Sequence, residues 1–202
     1  LAQPRPSLSP SNFPDSAFRD FEQKGDESVS ERAMMATVVP IISGNVTNIR
    51  NDRNRLFTRL NPIANNTTVQ AKPDFYDGAC LEDIHKQVIE ELSPYVVPTG
   101  HAMAPVAPNF FMEVKAPKGG ADVAKRQAFY NGAISARAMH SLQSYSEGKP
   151  VYDGKAYAAT ATYHDGLLRI YATHPTQGEN GISPEYHMNQ VSVCVFRSLI
   201  SF

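Results

Sequence analysis

The run Phe110-Phe111-Met112-Glu113-Val114-Lys115 constrains this chain more than any other stretch. It is too short and too apolar to be a separate helix. As a strand it sends Glu113 and Lys115 out of one face, while Phe110, Met112, Val114 and Ala116 take the other. A carboxylate and an ammonium together on one side of an otherwise apolar strand are explained more simply by a site than by core. Pro117 stops the strand, because proline cannot donate to a ladder. Lys118-Gly119-Gly120 then turns the chain into a long helix expected over residues 121–145, with Asp122 in the first turn, where negative charge is favoured. Upstream, Pro73-Asp74 offers a second carboxylate.

The helical period places Val123, Gln127, Tyr130, Ile134, Ala138, Leu142 and Tyr145 on one stripe that must bury against a sheet. Gln127 is a polar group inside that stripe: either its amide sits at the edge in water, or it faces the strand that carries Glu113. Lys125, Arg126, Arg137 and His140 fall on the opposite face and read as a solvated surface. With a nucleic-acid substrate, Lys118, Lys125, Arg126 and Arg137 become the natural phosphate contacts, which give affinity without reading sequence.

Elsewhere the pattern is coarser. Pro4, Pro6, Pro10 and Pro14 mark residues 1–15 as an extended Pro/Ser-rich arm, leaving 16–202 as a single domain. Ser28-Val29-Ser30-Glu31 has capping-box spacing ahead of a helix expected over 29–39, so Glu31 has a structural role open to it. Residues 45–68 read as loops with one or two short strands, and contain formal glycosylation triplets at Asn45, Asn65 and Asn66. Leu81, Ile84, Val88 and Leu92 suggest a helix closed by Ser93-Pro94, and 95–108 should be irregular. Residues 156–163 alternate, and Asp165-Gly166 reads as a tight hairpin turn into 167–173. Residues 186–199 fit a strand or a helix.

Bulk properties exclude little. Two hundred and two residues suit one domain with a sizeable core. The net charge of −1 argues against a strongly basic coat, though a local basic patch remains compatible with it. Cys80 and Cys194 give neither a disulfide framework nor zinc spacing, which points to an intracellular setting, nuclear or cytoplasmic. The six histidines show no close pairing in sequence. No apolar run reaches the length of a membrane span, so no membrane partner is expected. The chain opens on leucine and is read as a piece of a longer protein, so a missing targeting segment carries no weight.

Pro-Asp, a spacer and Glu-x-Lys resemble the PD-(D/E)XK nuclease superfamily. Lys72-Pro73-Asp74-Phe75-Tyr76, Pro108-Asn109-Phe110-Phe111-Met112-Glu113-Val114-Lys115 and Arg126-Gln127-Ala128 look more specifically like an uncharacterised fungal family within it, over roughly residues 28–190. The resemblance implies an α/β fold with a restriction-endonuclease-like core, a central mixed β-sheet flanked by α-helices. It implies magnesium or manganese held by Asp74, Glu113 and the Val114 carbonyl, with Glu31 a further ligand, Lys115 acting on the attacking water, and Gln127 near the site. The expected activity is phosphodiester hydrolysis in DNA or RNA. The alternative is a catalytically silent module of the same fold that binds nucleic acid or a protein. Removing Asp74 should leave the fold intact or slightly firmer, since two unliganded carboxylates repel.

Overall fold

The computed structural model describes residues 14–44, 49–63, 70–179, 181 and 183–196. Its elements are α1 (Asp15–Glu27), α2 (Glu31–Thr37), α3 (Val39–Ser43), β1 (Arg50–Arg53), β2 (Phe75–Ala79), α4 (Lys86–Val96), β3 (Val106–Lys115), α5 (Ala121–Glu147), β4 (Ala158–His164), β5 (Leu167–Gln177) and β6 (Pro184–Val195). The six strands form one sheet in the order β1-β2-β3-β4-β5-β6. All neighbours are antiparallel except β3 and β4, which are parallel and joined by α5. The fold is therefore mixed α/β, with helices on both faces of a mixed sheet.

Alternation along the strands divides the two faces. Phe75, Met112, Val114, Ala161 and Tyr163 pack with Phe21 of α1, Met34 and Met35 of α2 and Val39 of α3. Tyr76 and Phe111 point the other way, against Phe57, Ala71 and Ile134 of α5. Farther along α5, Ala138 packs with Val96 of α4 and Ala107 of β3. Glycine sets how closely α5 approaches the sheet: a Cβ on Gly132 would stand 2.5 Å from Thr173 Oγ1.

Several expectations hold. The 165–166 turn is a hairpin turn in which Asp165 and Gly166 both take positive φ, 50° and 72°, as a two-residue hairpin of this twist requires. The long helix, the short strand within 45–68 and the strand at Glu113–Lys115 are all present. Residues 186–199 resolve as the strand β6 as far as the described residues go.

Others are corrected. The proposed arm lies outside the described residues except for Pro14 and for Asp15, which opens α1, an amphipathic helix whose one buried residue is Phe21. The helix expected over 29–39 is two, broken at Val38 just before Pro40 in the first turn of α3, and the first is capped by Ser30, whose hydroxyl accepts from the Ala33 amide. Ser28 instead ends α1, its hydroxyl donating to the Lys24 carbonyl. Pro94 does not close α4 but lies within its last turns, where the loss of one intrahelical bond is tolerated, and its own carbonyl accepts from the Asn61 amide. The strand carrying Glu113 starts at Val106, inside the stretch expected to be irregular. Pro108 lies where pairing with β2 shifts register, so its missing N–H costs no ladder bond. His174 and His187, apart in sequence, stack across β5 and β6 at 5.4 Å. The three glycosylation triplets fall outside the described residues. Among the described residues no helix is long and apolar enough to cross a membrane.

Candidate metal-dependent active site

β2 begins at Phe75, opposite Met112, whereas β4 continues alongside β3 to Lys115. The last three residues of β3 therefore have a neighbour on one edge and an open notch on the other. Asp74, the residue before β2, fills that notch. Its Oδ2 accepts from the Val114 amide at 2.9 Å, replacing the ladder bond that β2 is too short to make. In an extended strand the N–H and C=O of one residue serve the same edge, so the Val114 carbonyl also faces the notch.

Glu113 and Lys115 leave the α5 side of β3. Glu113 is 1% exposed, and its Oε1 accepts from Asn131 Nδ2 of α5 at 2.6 Å. Its other oxygen, Oε2, is buried without a hydrogen-bond partner. Lys115 Nζ lies 3.2 Å from Glu31 Oε1 and 3.9 Å from Asp74 Oδ2. The turn after β3 is tight over this lysine: a Cβ on Gly119 would sit 3.1 Å from Lys115 Cβ and equally close to the Ala116 carbonyl. The lysine stem is thus packed in place, with its ammonium directed at two carboxylates.

Burial, reinforced by the nearby charge of Asp74, pushes the Glu113 carboxyl up to about 8, with Lys115 opposing. Asp74 is also raised by burial, against the pull of the Val114 amide and of Lys115. Glu113, buried beside the Asp74 carboxyl, and the partly buried Asp74 both resist ionisation, an arrangement that a cation relieves.

Sequence reasoning thus places Asp74, Glu113, Val114, Lys115 and Glu31 around one point, and the structure brings these five together. Within this group Glu31 is the ion-pair partner of Lys115. Among the described residues no three of His, Cys, Asp and Glu converge as a ligand group. The protein side of the site is then two carboxylates and a carbonyl. That donor set fits magnesium or manganese, which bind through one or two carboxylates and keep several waters. The unpartnered Glu113 Oε2 is the observation that supports the fit.

Gln127 is half-buried one turn before Asn131, its Oε1 buried and unpartnered. The amide that touches Glu113 is Asn131, which the helical stripe had missed. Ile134 and Ala138 of the expected stripe are buried, together with Ala124, Ala128, Asn131, Gly132 and Ser135, whereas Val123 at its start is exposed. Polar Asn131 and Ser135 between alanines at this spacing were the available signal. Of the expected phosphate contacts, Lys118, Lys125 and Arg126 are exposed, Arg126 pairing with Asp122 at 2.8 Å. Arg137 is corrected: it is buried, donates to the carbonyls of Asn61 and Pro62, and lies over the Tyr95 ring, so no phosphate reaches it.

No curated protein and no solved structure matches the chain. A family model matches residues 16–200, which contain every residue of the site. The chain belongs to the family described as Domain of unknown function (DUF7924).

Proposed function

We propose that the chain is a metal-dependent nuclease with a restriction-endonuclease-like core, hydrolysing phosphodiester bonds in DNA or RNA. The observation that carries the reading is the meeting of Asp74, Glu113 and Lys115 at the open notch of β3, with one buried carboxylate oxygen left without a partner. The mixed sheet between helix layers is the architecture that the resemblance to PD-(D/E)XK nucleases implies.

Asp74, Glu113 and the Val114 carbonyl would hold magnesium or manganese, which supplies positive charge at the phosphate and makes hydroxide accessible near neutral pH. Asn131 fixes Glu113 through one oxygen and leaves the other directed into the site. Lys115 orients the attacking water and stabilises the negative charge that grows on the phosphate oxygens. The water oxygen bonds to phosphorus, the bond to the leaving ribose or deoxyribose oxygen breaks, and a proton passes to that oxygen. Glu31 keeps the Lys115 ammonium in place.

The test is cleavage of mixed single- and double-stranded DNA and RNA with magnesium, manganese or chelator. Cutting is expected with metal and abolished by chelator. Lys115→Ala should stop cleavage while sparing manganese binding by calorimetry, whereas Asp74→Asn should weaken both. A second reading, a module that binds without cutting, is favoured by the Glu31 carboxylate 3.2 Å from the Lys115 ammonium, which neutralises its charge. Wild-type protein that neither binds manganese nor cuts any nucleic acid would leave only that reading.

A further inference from the structure

A cavity of about 240 Å³ lies across β3 from the notch, floored by β4 and β5 and walled by the first turns of α5. Its floor begins on the strand next to the one that carries Glu113 and Lys115. Thr162 is the sheet neighbour of Glu113, and His164 is the neighbour of Lys115, each one strand away, about 4.8 Å. Arg169 stands on the next strand, opposite Thr162. Lys125 overhangs from α5, and Gln190 of β6 closes the far end.

Three features of this cavity suit an anionic ligand. Lys125 and Arg169 come from different elements to line the same space, and neither makes an ion pair or hydrogen bond with any described residue. His164 Nε2 is buried and unpartnered. The carboxylate at the rim, Asp122, is already paired with Arg126. The remaining donors are an ammonium, a guanidinium and an imidazole nitrogen. That set suits a phosphate, which offers several acceptor oxygens and a negative charge to a guanidinium fork.

From this placement we infer that the cavity holds a backbone phosphate of the nucleic-acid strand next to the bond being cut, with Arg169, Lys125 and His164 as its contacts. The inference rests on the nuclease reading and deepens it by giving the strand a direction. The substrate runs from the end of β3 towards β5, past the N-terminal turn of α5. Arg169 and His164 are positioning residues, since they grip the strand away from the reacting atoms.

The experiment measures binding of fluorescein-labelled twelve-nucleotide DNA and RNA, single- and double-stranded, to the full chain by anisotropy over a range of salt, with manganese and with Lys115→Ala to prevent cutting. In that background Lys125→Ser/Arg169→Ser should lose about ten- to hundredfold in affinity, from two charge-assisted contacts. The slope of log K against log salt should flatten by about 1, as one fewer phosphate is neutralised. Arg169→Lys should recover part of the affinity, and circular dichroism should be unchanged. Inorganic phosphate should compete only at millimolar levels. Competition by inorganic phosphate at the concentrations where the oligonucleotide binds would assign the cavity to a free anion and overturn the strand assignment. If wild-type chain cuts nucleic acid and the double variant keeps the parental affinity and salt slope, the cavity assignment falls while the nuclease reading stands. If no nucleic acid is bound or cut by any variant, both fall together.

Discussion

Glu113 has one oxygen held by Asn131 and the other buried without a hydrogen-bond partner, its carboxyl beside that of Asp74, and this gives the residue a measurable signature. Its carboxyl is pushed from 4.5 up to about 8, so between those values the folded, metal-free chain keeps a proton that the unfolded chain has lost. Stability must then fall as pH rises through that window. Urea midpoints in chelator at pH 5, 6.5 and 8 should decline for the wild type and stay nearly level for Glu113→Gln, which should be the more stable protein at pH 8. A flat wild-type profile would contradict the buried pair. The structure gives Asp74 a second role that bears on what its removal should do. Repulsion from Glu113 is real, but Asp74 also satisfies the Val114 amide, so Asp74→Ala leaves a buried donor unpaired at a cost of about 1–3 kcal/mol. Asp74→Asn keeps an acceptor oxygen there, and chemical denaturation of the two variants should separate these effects. The acid pair and lysine were legible because strand alternation places i and i+2 together whatever the rest of the fold does. Asn131 was not, because its role depends on a helix phase.

That phase is a matter of whole elements. The expected stripe of α5 holds at Ile134 and Ala138, but the structure also turns the small residues Ala124, Ala128 and Gly132 inward and leaves Val123 exposed. Small residues bring the helix axis close enough for the short Asn131 side chain to reach Glu113 from above, and a bulky stripe would hold the helix too far away. Gly132→Ala should therefore destabilise the chain by about 1–3 kcal/mol, because its Cβ meets Thr173 Oγ1 and the strand beneath cannot move far. Thermal melts of this variant beside Gly132→Ala/Thr173→Ala, which restores the space, would check the cause. The capping box misled for a related reason: two serines two residues apart both had cap chemistry, and the chosen one ends the preceding helix. Ser30→Ala should cost about 1 kcal/mol as the true cap. β6 stayed ambiguous because it forms one outer strand of the sheet, with Val191, Val193 and Val195 exposed, and so lacks the buried alternation that identifies a strand.

At the scale of the molecule, metal and stability are linked. A cation that binds the folded site and not the unfolded chain stabilises by about 2.7 kcal/mol at a hundredfold excess over its Kd, or about 5–10 °C for a domain of this size. Manganese should raise the melting temperature of wild type by that order and leave Glu113→Gln unmoved, as followed by scanning calorimetry. The general architecture was readable from sequence because β3, the glycine turn and the long helix form one strand-to-helix unit. The helices α1 to α3 were harder to place, because what positions them is a face of the sheet contributed by residues far along the chain. The order of the strands has a consequence in time. Every strand lies beside its neighbour in the chain, and β4, β5 and β6 can close as a meander over short turns, whereas β3 reaches β4 only after the 27-residue α5 has crossed between them. A refolding chain therefore assembles its hairpins quickly and gathers Glu31, Asp74, Glu113 and Asn131 late, so that competence to bind an ion trails the recovery of strand structure.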